Sequence, residues 1–272
     1  MNKEWTEGRN PDTMHIDRAD TGTMLALIQK ENYKSLQAVD RAMPQIEKAV
    51  DAAALAISKG ARILYAGAGT SGRLAVVDAS ECPPTFGTDP CQVRALIAGG
   101  ENAIVRAVEG AEDSDGDGMR DFMALAPSPD DFVLGLSASG NAPYVVGVLR
   151  AARQCGCTTA GLVCNSSCAM EAYSDILIVT ETGPEVITGS TRMKAGNAQK
   201  LVLNMISTCA MVKTGKVYEN LMINLRPTNR KLRDRMIRIV SEICRVEYER
   251  AQALLEEHGW SIRAVFEARG IL

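Results

Sequence analysis

Histidine is nearly absent from this chain. Only His15 and His258 occur among 272 residues, which leaves little material for a His-based triad, a His-rich metal site or a His general base. Aromatic residues make up 4% of the chain. That is sparse for an aromatic-rich β-sandwich, and the many Ala, Val, Ile and Leu residues favour layered α/β packing instead. No apolar run reaches the ~18–20 residues needed to span a bilayer, so no membrane partner is expected. No block of Lys and Arg stands out either, and the formal net charge is −3. Nucleic acid is therefore not expected as the main partner, because that affinity comes mostly from neutralising phosphates. The stretch MNKEWTEGRNPDTMHI is polar and lacks the apolar core of a signal peptide, so a cytoplasmic location is expected.

Cysteine is present without a pattern. The eight residues are Cys82, Cys91, Cys155, Cys157, Cys164, Cys168, Cys209 and Cys244. Their spacing gives no paired C-x-x-C knuckles, so they read as free structural thiols rather than disulfides or zinc ligands. No metal is expected.

What is there is an alternation of periods. Residues 23–42 carry apolar residues at helical spacing, and a second helix is expected from Pro44 to Gly60. Short apolar runs follow at 62–66, 93–98, 132–136, 159–163 and 175–179, with helical stretches around 71–80, 102–109, 116–125, 142–154 and 166–173. Continuously apolar strands that alternate with helices predict a doubly wound five-stranded parallel sheet, an α/β fold with ligands at the carboxyl ends of the strands. A long helix is expected over 191–214, and the chain reads as helical from Arg226 to its end. Three parts are expected: a helical segment over 1–60, the sheet domain over 61–220 and a small helical region over 221–272.

Three stretches could carry chemistry. The first is GAGTSG at 67–72, behind an apolar strand, which fits the dinucleotide fingerprint G-x-G-x-x-G. A dinucleotide site also needs an acidic residue ~20 positions on, and Glu101 lies well beyond that spacing. Gly69, Thr70 and Ser71 suit a smaller anion, as do Ser137, Ser139 and Asn141 in SASGN, directly after the third strand. A purely structural turn would explain either loop taken alone. The second is the pair Glu81 and Glu112, both expected near the carboxyl edge of the sheet. Paired carboxylates beside a sugar suit general acid–base work, although helix-end glutamates are also ordinary solvated groups. Cys82 adjoins Glu81 but has no histidine near it in sequence to activate it. The third is GPEVITGSTRMKAG at 183–196, where Ser190 and Thr191 could cap a helix and Arg192 and Lys194 would bring positive charge to an anion. EDSDGDG at 112–118 opens like an EF-hand loop, but its twelfth position is not Glu, so a solvated acidic turn is the better reading.

The blocks TEGRNP (6–11), GAGTSGRLAVVDASECPPTFG (67–87), LIAGGENAIVRAVEGAED (96–113) and GPEVITGSTRMKAGNAQKLVLNM (183–205) resemble the N-acetylmuramic acid 6-phosphate etherases of the sugar isomerase (SIS) domain superfamily. The resemblance implies a cofactor-independent lyase of cell-wall sugar recycling, acting as a homodimer with sites near the subunit interface. It maps the family's proton-donating glutamate onto Glu81 and its second catalytic carboxylate onto Glu112. It further implies phosphate and substrate binding by Gly69, Thr70, Ser71, Ser137, Ser139, Asn141, Ser190, Thr191 and Lys194. The chain departs from the family's pattern at Asn141, Ala142 and Asn197, which bears on fine specificity rather than reaction class. Two alternatives stay open. One is a non-catalytic sugar-phosphate sensor like the glucokinase regulatory protein, which has two SIS domains where this chain has room for one. The other is a sugar-phosphate isomerase, which would convert aldose to ketose without releasing lactate.

Overall fold

The computed structural model describes residues 5–227 and 229–272. Strands β1 (Ile63–Gly67), β2 (Val93–Ile97), β3 (Phe132–Leu136), β4 (Thr158–Val163) and β5 (Ile176–Val179) form one sheet in the order β2-β1-β3-β4-β5. Every neighbouring pair is parallel, and Ile63 stands opposite Val93 on one side and Phe132 on the other. Parallel neighbours need crossovers. Helices α2 (Gly69–Phe86), α3 (Asn102–Val105), α4 (Asp115–Met123) and α5 (Pro143–Gln154) supply the first three, and a 3-10 turn over Ala169–Tyr173 lies in the crossover from β4 to β5. The doubly wound sheet expected from the sequence is present.

Successive side chains of a strand point to opposite faces. Ile63 and Tyr65 pack with Ala49, Ala75 and Leu203, in a layer made by α1 (Thr21–Ser58), α2 and α6 (Lys194–Lys213). Leu64 and Ala66 pack with Phe122, Val145 and Leu149 in the opposite layer, made by α4 and α5. Those two helices touch backbone to backbone: a Cβ on Gly118 would fall 2.0 Å from the Tyr144 carbonyl oxygen, and one on Gly147 would fall 2.1 Å from that of Asp115. The acidic run is thus the start of a packed helix. The Ser114 hydroxyl accepts from the Asp117 amide, Asp115 pairs with Arg150 and Asp117 with Arg120.

One helical expectation needs correction. Residues 21–58 form one helix rather than two, running straight through Pro44. Pro44 lies on the exposed side of α1, where water can satisfy the carbonyl that loses its amide partner. The C-terminal region is helical, as expected, and is built from three helices. Its helices are α7 (Arg230–Cys244), α8 (Tyr248–Glu257) and α9 (Ile262–Ala268), with Arg245 and Trp260 at positive φ of 54° and 60° in the breaks. A small hairpin, β6 (Val217–Tyr218) and β7 (Leu221–Met222), precedes them; two-residue strands leave no readable period. Ile223, Met236, Val240, Leu255 and Phe266 give this region its own apolar core. Among the described residues no helix is long and apolar enough to cross a membrane.

Candidate active site

In an open α/β sheet the ligand crevice opens at the carboxyl edge, where successive crossovers leave to opposite faces. Here that point lies between β1 and β3, because α2 packs on one face and α5 on the other. The turn after β1 is GAGTSG. A Cβ on Gly67 would lie 2.6 Å from the Gly72 amide nitrogen, and one on Gly72 would lie 2.6 Å from Ile97 Cγ1. The outer glycines therefore let the strand, the helix start and β2 close on one another. Gly69 has φ 52° and opens α2. The N-cap of α2 (Ala68) and that of α5 (Ala142) both lack a side-chain hydrogen bond. Two helix starts on adjacent strands thus keep first-turn amides that no capping side chain satisfies, an arrangement suited to one anion.

The turn after β3 is held from within. Ser137 Oγ accepts from the Gly140 amide at 3.0 Å, and Ser139 Oγ accepts from the Asn141 amide at 3.1 Å. Asn141 is engaged in holding this turn in place, since its Oδ1 accepts from the Ala169 amide at 2.9 Å. Cys168 and Val163 crowd Gly140, whose φ is 75°.

The GPEVITGSTRMKAG stretch behaves differently from expectation. Ser190 and Thr191 do not cap α6 with their hydroxyls. Glu185 does so, its two carboxylate oxygens accepting from the amides of Lys194 at 3.0 Å and Ala195 at 2.9 Å. A carboxylate accepts both amides at once and carries the charge that a helix start favours. Burial pushes the Glu185 carboxyl above its usual value despite those bonds. Lys194, expected at the phosphate, is 1% exposed and paired with Glu31 of α1. Burial would push the Glu31 carboxyl up, but its bonds to Lys194 and Lys34 outweigh that and hold it below the usual range. Asn197 faces α1, donating to Asn32 Oδ1 at 3.3 Å.

Contacts join these stretches around the carboxyl edge. A Cβ on Gly196 would lie 3.5 Å from Thr70 Cγ2 and 3.6 Å from the Thr191 carbonyl oxygen. One on Gly189 would lie 3.3 Å from Glu7 Oε2. Asn165 Nδ2 reaches both the Ser139 carbonyl, at 3.3 Å, and the Thr6 hydroxyl, at 3.5 Å. The N-terminal strap, Thr6 to Thr13, therefore forms part of the rim. Its Asn10, and Glu31 of α1, were not expected at the site, although the sequence carries a signal for Glu31. Glu31 falls at helical spacing on the same buried stripe as Ser35, Ala38, Ala42 and Ala49, and a charged residue on such a stripe needs a partner.

The carboxylates are separated. Glu112 sits in the turn Ala111–Asp113, exposed, and a Cβ on Gly99 just beyond β2 would lie 3.2 Å from Ala111 Cβ. That is the carboxyl edge. Glu81, also exposed, does not share it. It lies on α2 about 18 Å beyond Gly69 along the axis, at ~1.5 Å per residue, because a crossover helix runs back toward the amino edge. Next to it Asp78 is 5% exposed and accepts from the Tyr65 and Ser207 hydroxyls. Burial, then the charges of Asp78 and Glu81, pushes the Cys82 thiol up to about 12, and the thiol donates to the Asp78 carbonyl. Such a thiol is a poor nucleophile at neutral pH.

Asp78 gives a stability prediction. Burial raises its carboxyl above the usual value, so the folded state binds the proton more tightly than the unfolded chain. Its ionisation then costs stability as pH rises from the unfolded-state value through the folded one. Asp78→Asn should raise Tm at pH 7 by a few degrees, and the gain should shrink toward pH 4. A gain that is constant with pH would remove this account.

A family defined by the glucokinase regulatory protein N-terminal SIS domain matches residues 45–153. An N-acetylmuramic acid 6-phosphate etherase from Serratia proteamaculans is 50% identical over 258 residues, covering 95% of this chain and 87% of the relative. The etherase from Pasteurella multocida is 51% identical over 255 residues, covering 93% and 85%. The chain belongs to the N-acetylmuramic acid 6-phosphate etherase family. The etherase from Caldanaerobacter subterraneus is 49% identical over 258 residues, covering 95% of this chain and 84% of the relative. Solved phosphoheptose isomerases share the fold of this chain. That from Neisseria gonorrhoeae superposes with TM-score 0.53 at 16% identity, over 70% of this chain and 98% of its own. That from Francisella tularensis gives 0.51 at 18% identity, over 70% and 98%.

Proposed function

We propose that this etherase-family chain cleaves the lactyl ether of N-acetylmuramic acid 6-phosphate, giving N-acetylglucosamine 6-phosphate and D-lactate. The observation that carries the reading is 50% identity, over 95% of the chain, to a protein of that name. The 6-phosphate would lie at the starts of α2 and α5, among Gly69, Thr70, Ser71, Ser137 and Ser139, with Ser190 and Thr191 closing the far side. In the open-chain sugar the C1 aldehyde acidifies C2–H. Glu112 takes that proton, the C3–O bond breaks, and Glu81 protonates the departing lactate oxygen. Water then adds at C3 of the unsaturated aldehyde with Glu81 as base, and Glu112 returns the proton to C2.

The separation of the carboxylates calls for a second copy. Leu25, Tyr33, Leu36 and Val77 are 63%, 57%, 48% and 44% exposed on the outer surface of the α1/α6/α2 layer. A two-fold axis through that surface would pack α2 against its symmetry mate in the opposite direction. The distal half of one α2, with Glu81, would then face the start of the other. The reading is of a cytoplasmic homodimer in which each copy supplies Glu81 to its partner's cradle.

Incubation with N-acetylmuramic acid 6-phosphate should release D-lactate stoichiometrically with N-acetylglucosamine 6-phosphate. Tight sugar-phosphate binding with no lactate would favour the sensor, to which the SIS-domain match gives some ground. Aldose–ketose conversion would favour an isomerase.

A further inference from the structure

The buried charges at the N-terminal strap do more than hold the fold together. Glu31 and Lys194 are 0% and 1% exposed, and Glu31 Oε2 accepts from both Lys194 Nζ and Asn10 Nδ2, the latter at 2.8 Å. Asn10 Nδ2 also donates to the Pro184 carbonyl at 3.2 Å, while its Oδ1 accepts from the Asp12 amide at 3.0 Å. Thr13 Oγ1 donates to the Val186 carbonyl at 2.8 Å. Glu185 binds the amides of Lys194 and Ala195. Both ends of the loop from Ile187 to Met193 are therefore fastened, the first to the strap and the second to α1 and Glu185. The loop itself carries Ser190 and Thr191, and at Gly189 it meets Glu7.

Stability is a weak explanation for such a pair. Removing two charges from water costs about as much as their attraction returns, and apolar replacements of similar volume are often neutral or better. What the pair provides that apolar contacts do not is a fixed direction: a charge-assisted bond from Lys194 and a second bond from Asn10 meet on one carboxylate oxygen.

We propose that the buried Asn10–Glu31–Lys194–Glu185 network is the clamp that sets the position of the Ile187–Met193 loop, and through it the affinity of the site for the substrate's phosphate. Asn10, Glu31 and Lys194 are positioning residues in this scheme and touch no substrate. The proposal rests on the reading that Ser190 and Thr191 close the phosphate cradle.

The test compares Asn10→Ala with the paired replacement Glu31→Leu/Lys194→Met, which removes both charges of the buried pair together, leaves Lys34 its second partner, Asp12, and leaves Glu185 its two backbone amides. Two affinities are measured: the Kd of inorganic phosphate, by equilibrium titration without turnover, and KM for N-acetylmuramic acid 6-phosphate. The expected result is a rise of ~10-fold or more in both for the paired variant, a smaller rise for Asn10→Ala, and kcat changed by less than ~3-fold. Folded variants with wild-type near-UV circular dichroism and unchanged phosphate affinity would overturn the clamp, as would a wild-type protein that binds neither phosphate nor N-acetylglucosamine 6-phosphate. A protein that binds phosphate but releases no lactate sinks the etherase reading and leaves the phosphate titration to decide the clamp. If the paired variant does not fold, Asn10→Ala and Thr13→Val carry the test. Each loosens the strap without burying a lone charge, and unchanged phosphate affinity in both overturns the clamp.

Discussion

Glu112→Gln is expected to abolish both lactate release and exchange of the C2 hydrogen, whereas Glu81→Gln abolishes lactate release and retains exchange. The carboxamide keeps the size of each side chain but cannot accept a proton at neutral pH. Removing a positioned acid or base typically costs ~10²–10⁴-fold in rate, so both variants should fall near the detection limit for lactate. The difference lies in what precedes the loss. Without Glu112 the C2–H bond is not broken, and substrate recovered from deuterated water carries no label. Without Glu81 the carbanion forms and is reprotonated, so label enters C2 while the ether stays intact. The measurement is the mass of recovered substrate alongside a D-lactate assay. Native-rate exchange in Glu112→Gln would remove Glu112 from the role of base, and absent exchange in Glu81→Gln would place Glu81 earlier in the reaction.

The second large effect comes from mixing two inactive proteins. Within one chain Glu81 lies about 18 Å along α2 from the start of the cradle, at ~1.5 Å per residue, so under the proposed roles a site built from one copy alone would lack its acid. Glu81→Gln and a cradle variant such as Ser71→Tyr should each be inactive as pure homodimers. Dissociated and reassociated together, they form heterodimers in which one site carries both lesions and the other carries neither. With random pairing, half of the dimers are mixed and half of their sites are intact, so about a quarter of wild-type activity should return. If both residues belong to one copy's site, every site in the mixture carries a lesion and no activity returns. Titrating the cradle variant into the Glu81→Gln protein, with lactate as the readout, separates these outcomes.

The sequence alone determined the sheet, because its signal is local. Continuously apolar runs bounded by Gly and polar residues can be buried strands, and helices between them require parallel crossovers. Gly67, Gly69 and Gly72 were readable for the same reason: a turn that closes a strand onto a helix admits little else. Relations across many residues were not readable. Nothing around Ser190 and Thr191 shows that Glu185 has already taken the helix start they were expected to cap. Nothing around Lys194 shows that a carboxylate on α1 reaches it first. Pro44 reads as a helix start until its exposed position on α1 is known. Most telling is Glu81, which belongs to the same block as the cradle and yet stands at the other end of its helix. A motif fixes which residues travel together along the chain. The direction in which a crossover helix runs, and the side chains that meet it from elsewhere, decide which of them can face one ligand.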